Sequence, residues 1–154
     1  MAAFGQQKLG HLNSGNILQK MPEVAQANKE IQHLQDSLKI EFDTKSAKFQ
    51  STYQLALKAV NDGTVTPVEQ SKKEAELNDM QTDLTNFQKL SQTIIDLRRQ
   101  ALLQPLLTKM QDAVKAVAKE QGYSYIFDVA GGSMLFANDS EDCSKQVEAK
   151  LGLK

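Results

Sequence analysis

The chain is short of the residues that break helices. Only three prolines and eight glycines stand among 154 residues, and two long stretches, 22–62 and 67–104, are nearly free of both. Cysteine is scarcer still: Cys143 is the only one, which excludes an intrachain disulfide and leaves the redox compartment unread. It reads as a small, partly buried residue. Charge of one sign is missing as well. With 18 basic and 19 acidic side chains the formal net charge is -1, which argues against nucleic acid as the main partner, because phosphate binding draws on a clear basic excess. Purely apolar runs are a few residues long, far short of the roughly 20 needed to span a bilayer, and no signal-peptide core follows Met1, so the chain reads as soluble. Its opening Met1-Ala2-Ala3-Phe4-Gly5-Gln6-Gln7 suits an initiator Met on a processed mature sequence and a native cytoplasmic start equally well.

Catalytic and ligand-binding constellations are also lacking. His11 and His33 fall on different elements, with no second His or Cys at metal spacing, so no metal is expected. No Gly-rich phosphate loop, nucleophile elbow or supported Cys-His pair occurs. Glu74, Glu76, Asp79 and Asp83 alternate with Lys72, Lys73 and Lys89 as on a solvated helix face. Neither an enzyme nor a cofactor is expected.

What the chain does have is helical periodicity. The two long stretches face each other across Asn61-Asp62-Gly63-Thr64-Val65-Thr66-Pro67, which predicts an antiparallel helical hairpin over 23–104 with its tip near 61–67. A helix of about 40 residues extends roughly 60 Å, longer than an ordinary globular domain covers. Such a protrusion grips something or spans a gap. Pro22 opens the outgoing helix, in which Val24, Ala27, Ile31, Leu34 and Leu38 keep a coiled-coil seam. The seam then slips through Phe42, Phe49, Tyr53, Ala56 and Val60. On the return, Thr66 reads as an N-cap, Pro67 as the first helical residue and Glu69 as a first-turn acid. The return stripe is Leu77, Met80, Leu84, Phe87, Leu90, Ile94, Leu97 and Ala101. Pro105 is expected to kink this helix, which resumes through Leu106, Met110, Ala113, Val114 and Val117 to about Gln121, with Gly122 at the left-handed C-terminal position.

The remainder, 1–22 and 105–154, reads as a small β-containing body. Lys8-Leu9-Gly10-His11-Leu12-Asn13 is a short strand, followed by a brief helix carrying Ile17, Leu18 and Met21 behind an Asn13 or Ser14 cap. Tyr123-Ser124-Tyr125-Ile126-Phe127-Asp128-Val129 is the strongest strand pattern, and Ala130-Gly131-Gly132 predicts a hairpin turn into Ser133-Met134-Leu135-Phe136-Ala137. Val147, Leu151 and Leu153 give a short terminal helix an apolar edge. The fold class is thus α+β, mostly α. Three short strands are marginal alone, and a hairpin that takes up half the chain leaves too little for a full core, so edge pairing between subunits is expected.

This order of elements resembles the Skp/OmpH family of periplasmic chaperones for outer-membrane proteins. The resemblance is carried by Lys8-Leu9-Gly10-His11-Leu12-Asn13-Ser14 with Ile17-Leu18 and Met21-Pro22-Glu23-Val24, and by Leu106-Leu107-Thr108-Lys109-Met110 through Ala113-Val114-Lys115-Ala116-Val117-Ala118. Gly122-Tyr123-Ser124-Tyr125-Ile126-Phe127-Asp128 and Leu135-Phe136-Ala137 extend it over almost the whole chain. It implies a periplasmic homotrimer in which the strands of three subunits build a barrel body, and three arms enclose a cavity that holds unfolded outer-membrane proteins without ATP. The signal peptide would already have been removed. Charge is a departure: several members are strongly basic, and attraction to acidic clients or lipopolysaccharide is attributed to that charge. Arg98-Arg99 falls near the family's basic cluster without matching it, and otherwise reads as a solvated face.

Phe42, Phe49, Tyr53, Leu57, Met80, Leu84 and Phe87 are the candidates for client contact, against the alternative that they fill the seam between the helices. Leu9, Leu12, Ile126, Phe127, Leu135 and Phe136 are the candidates for the trimer body. Asn61, Gly63 and Pro67 are the candidate hinge at the arm tip. The rival reading is a coiled-coil scaffold module, dimeric through its long helices, with one specific partner.

Overall fold

The computed structural model describes residues 7–132 and 134–153. In chain order they form β1 (Leu9–Leu12), α1 (Ser14–Lys20), α2 (Pro22–Asn61), α3 (Pro67–Gln121), β2 (Tyr125–Asp128), a 3-10 turn (Asp139–Glu141) and α4 (Ser144–Lys150). The chain divides into two compact units, one made of the residues up to Lys29 together with those from Gln100 onward, the other of 30–99.

In the first unit, alternation along β1 turns Gly10 and Leu12 inward and leaves Leu9 exposed. Gly10 is required there, since a Cβ would lie 2.8 Å from the ring of Tyr123. Asn13 caps α1, its side-chain oxygen accepting from the amide of Asn16 at 2.9 Å, which satisfies one of the free donors of the first turn. β2 lies parallel to β1 with Leu9 opposite Tyr125 and Leu12 opposite Asp128. A parallel pair needs a long crossover, and α1, α2 and α3 together supply it. On its other side β1 is bridged at His11 by Asp142, and the amide of Cys143 donates to the carbonyl of His11 at 2.9 Å. The core gathers Leu12, Ile17, Met110, Ala113, Val117, Cys143 and Val147, with Leu151 and Leu153 packed against it.

Pro105 lies inside α3, which continues to Gln121 where the sequence pattern ends it. One expectation for this unit needs correction. The β-hairpin after β2 does not form: Met134, Leu135, Phe136 and Ala137 are not in a strand, and Ser133 lies outside the described residues. Leu135 and Phe136, placed on that strand by the sequence, are 100% and 83% exposed. The physical reason lies at the end of β2. The amide of Val129 is given to the carbonyl of Leu12 at 2.9 Å, and that of Ala130 to the carboxylate of Asp128 at 3.0 Å. These bonds commit the departing chain toward β1 and α1. The Ala130-Gly131-Gly132 turn exists, with Gly132 at φ 68°, but the chain beyond it does not fold back on β2.

In the second unit, α2 and α3 run antiparallel. Ion pairs join Glu30 to Arg98 and, at 2.8 Å, Lys45 to Asp83; their equal spacing along both helices shows an uninterrupted register. The turn between the helices is closed from both sides. Gly63 takes φ 63° as its amide donates to the carbonyl of Val60 at 3.1 Å and that of Thr64 to Ala59 at 3.1 Å, a Schellman-like ending for α2. Thr66 and Glu69 then cap α3 reciprocally, the Thr66 amide donating to the Glu69 carboxylate at 2.7 Å and the Glu69 amide to Thr66 Oγ1 at 3.3 Å, a capping box.

Candidate apolar binding surfaces

A helix seam buries what points inward and exposes the rest, so the drift of the apolar stripes decides which residues can bind anything. On α2, Ile31, Leu34, Leu38, Phe42 and Phe49 face inward to different depths, and the long step from Phe42 to Phe49 is filled by Lys45. The Lys45 ammonium pairs with Asp83 and stands 5.4 Å from the Phe87 ring centroid. The hydrogen bond to Asp83 raises its pKa above the usual lysine value. On α3, Leu77, Met80, Leu84 and Phe87 face inward as the spacing predicts. Beyond Phe87 the inward positions become Ser91 and Ile95, one residue later than expected. Leu90 and Leu97 are thereby turned outward, 56% and 61% exposed, with Ile94 beside them. This corrects the return stripe: Leu90, Ile94 and Leu97 form an exposed apolar face at helical spacing. Ala101, the last residue assigned to that stripe, is exposed too.

Of the seven candidates for client contact, Phe42, Phe49, Met80 and Phe87 are half-buried in the seam and Leu84 is buried there. Tyr53 and Leu57 are exposed. Tyr53 stacks on Phe49 with centroids 6.3 Å apart. With Ala56, Val60 and Leu77, Tyr53 and Leu57 line an apolar groove of about 250 Å³. Ile40, Leu55 and Val68 are further exposed apolar residues of this unit. Their signal was available, because Ile40 and Leu55 stand outside the seam spacing on α2. The signal for Leu90, Ile94 and Leu97 was hidden by the polar Ser91 that takes the seam position.

In the first unit, Leu12 is buried in its own chain's core and Ile126 packs against that core. Leu9, Tyr125 and Phe127 share the opposite face of the sheet and are exposed, Tyr125 and Phe127 stacking at 6.3 Å. Among the described residues, no group of His, Cys, Asp or Glu is arranged to hold a metal ion, and no helix is long and apolar enough to cross a membrane. His11 has its Nε2 3.0 Å from the carbonyl oxygen of Asn138. Burial pushes the Cys143 thiol up from its ordinary pKa, and the thiol lies 3.2 Å from the carbonyl of His11.

A family model described as outer membrane protein (OmpH-like) matches residues 8–151. The chain belongs to the OmpH-like family. A crystal structure described as that of an OmpH-like outer membrane chaperone from Caulobacter crescentus CB15 superposes on this OmpH-like chain with a TM-score of 0.80, covering 96% of it and 85% of that chain at 13% identity. At that identity the likeness speaks for the fold. The search of curated proteins finds no match. The Leu90–Leu97 face, the Tyr53–Leu57 groove and the sheet face of the OmpH-like chain all lie within the family match. Its adjacent arginines are engaged, Arg98 with Glu30 and Arg99 with Asp96 at 3.6 Å.

Proposed function

We propose that this OmpH-like protein is an ATP-independent holdase chaperone of the periplasm, which binds unfolded outer-membrane proteins and keeps them from aggregating. The observation that carries the reading is the apolar face of Leu90, Ile94 and Leu97, turned away from the seam of the hairpin. Exposed apolar residues in a contiguous stripe mark a binding surface. Tyr53 and Leu57 in their groove add an aromatic and a branched contact nearer the turn. Family membership and the chaperone description of the matched fold agree with this chemistry.

In this reading the chain is a homotrimer, with 1–22 and 105–154 as its body and 23–104 as an arm beside a shared cavity. Leu9, Phe127, Leu135 and Phe136 are the body residues free to meet a second copy, while Leu12 and Ile126 hold the single chain's own core. Individually weak contacts from three arms raise effective concentration and retain a client that one arm would release. The test is the light scattering of a urea-unfolded outer-membrane protein diluted into buffer. The wild type is expected to suppress aggregation, and the double variant L90S/L97S to lose several-fold in potency while keeping its oligomeric mass and melting temperature. Undiminished suppression by that variant would place the client elsewhere.

A further inference from the structure

The two sides of the helical pair differ in what borders the seam. Near the turn, the groove of about 250 Å³ at Tyr53, Leu57 and Leu77 is also lined by Gln70, Lys73 and Glu74. A second gap, of about 210 Å³, lies between Leu38 and Phe42 of α2 and Phe87 and Ile95 of α3, and is bordered by Gln35, Gln88 and Gln92. Both open on the same side. At about 100° of rotation per residue, Gln35, Phe42, Tyr53 and Val60 fall within about 20° of one another around α2, and Gln70, Leu77, Gln88 and Ile95 do so around α3. Gln81, exposed on that same side of α3, lies midway between the gaps, with Gln50 of α2 near its level. The ion pairs Glu30–Arg98 and Lys45–Asp83 cross the seam on the other side, where the stripe of Leu90, Ile94 and Leu97 also falls.

One side is therefore zipped by charge, and the other holds apolar gaps with glutamines along them. A glutamine side chain offers two donors and an acceptor, which suits the N–H and C=O groups that an extended chain must satisfy when apolar contacts draw it out of water. Charge at the gaps is balanced: Lys39, at the rim of the second, pairs with Asp43 at 2.6 Å, and Lys73 and Glu74 bring one charge of each sign to the first. Each gap has the room of a single large side chain, and two such contacts fall far short of the roughly 800 Å² per partner that a stable interface between folded copies buries. Eighteen residues of α2 separate equivalent positions of the two gaps, Gln35 and Tyr53. That is about 27 Å along the helix, which an extended chain covers with about eight residues. We propose that this side of the helical pair binds one extended stretch of unfolded polypeptide, with a bulky apolar side chain in each gap and the backbone between them hydrogen-bonded to glutamine amides. The site selects by the spacing of apolar residues and is indifferent to the sign of the client's charge.

The inference rests on the client-binding reading and names the form in which a client is held, so two assays are run together on the full-length protein. Fluorescence anisotropy compares two labelled, uncharged Gly/Ser-based peptides of equal composition, one with its two Phe residues about eight positions apart and one with them side by side. The spaced peptide is expected to bind roughly fivefold more tightly, with an affinity that changes by less than about twofold between roughly 0.05 and 0.5 M salt. Q81A/Q88A removes two exposed amides at helix positions where alanine is fully tolerated, and is expected to weaken the spaced peptide several-fold at unchanged melting temperature. L90S/L97S, on the other side of the pair, is expected to leave that affinity as it is. Equal affinities for the two peptides, binding of neither, or a loss with L90S/L97S that matches Q81A/Q88A overturns the site. Suppression of outer-membrane protein aggregation, measured on the same samples, separates this site from the function it serves: with the site overturned, retained suppression leaves the holdase function standing, and lost suppression removes that as well.

Discussion

Gly10 and Asp128 show how single residues hold the β-containing unit. The ring of Tyr123 lies against Gly10, with Cε1 at 2.8 Å and Cδ1 at 3.0 Å from where a Cβ would stand, and the Lys8 ammonium sits 4.2 Å from the same ring's centroid. Gly10→Ala therefore has to push an aromatic ring out of its packing, and is expected to cost about 1–3 kcal/mol in urea denaturation. Asp128 ties three elements together: its carboxylate accepts from the Ser14 hydroxyl at 2.5 Å, the Ser14 amide at 3.1 Å and the Ala130 amide at 3.0 Å. Partial burial would raise its pKa, but the hydrogen bonds from Ser14 and Ala130 prevail and hold it below the usual carboxylate value. A carboxylate depressed on folding contributes stability above the unfolded value of about 3.9, and that contribution is lost as pH falls through the folded value. The wild type should lose stability as pH drops below about 4, and Asp128→Asn should be less stable at neutral pH with a shallower acid loss. An Asn variant whose acid profile matches wild type would show that Asp128 does not carry this dependence.

The helices were legible because their ends are written in local chemistry. Asn13, Pro22, Thr66 with Glu69, and Gly122 at φ 70° mark starts and stops where the sequence places them. Strand partnership was not legible, because it is decided by non-local bonds. The aromatic and branched run at 125–128 is a strand as read, but its partner is β1 from the far end of the chain, and the Gly-Gly signal marks a turn without a returning strand. Seam orientation was half legible for a similar reason: stripe arithmetic followed apolar letters past Phe87, whereas the helix keeps Ser91 inward. This gives a direct contrast. Leu84→Ala, at a position 8% exposed, is expected to cost about 2–5 kcal/mol, and Leu90→Ala about 0.5 kcal/mol or less; equal costs would return Leu90 to the seam. Pro105 lacks the amide that would bond the carbonyl of Ala101, and α3 passes through it regardless. Pro105→Ala is therefore expected to raise the melting temperature, by an amount bounded by the roughly 3 kcal/mol helix-interior cost of proline.

For the whole molecule, the proposed function rests on two surfaces: an apolar sheet face with the 134–136 segment, proposed to meet other copies, and an outward stripe on the helical pair, proposed to meet unfolded clients. Leu9, Tyr125, Phe127, Leu135 and Phe136 are all exposed in the single chain. The resemblance in the sequence suggested assembly from a body that needed neighbours. The structure refines which residues are free for it, since Leu12 and Ile126 serve the chain's own core. Phe127→Asp places a charge on that open face and is expected to yield a monomer or an aggregate; a fully trimeric F127D would remove the sheet face from the assembly. The most direct test of the account is the solution mass by light scattering, with and without a urea-unfolded outer-membrane β-barrel protein diluted into the sample. The account predicts a trimer near three times 17.1 kDa that takes up a client and keeps it soluble. A monomer or dimer that leaves the client to precipitate would contradict it.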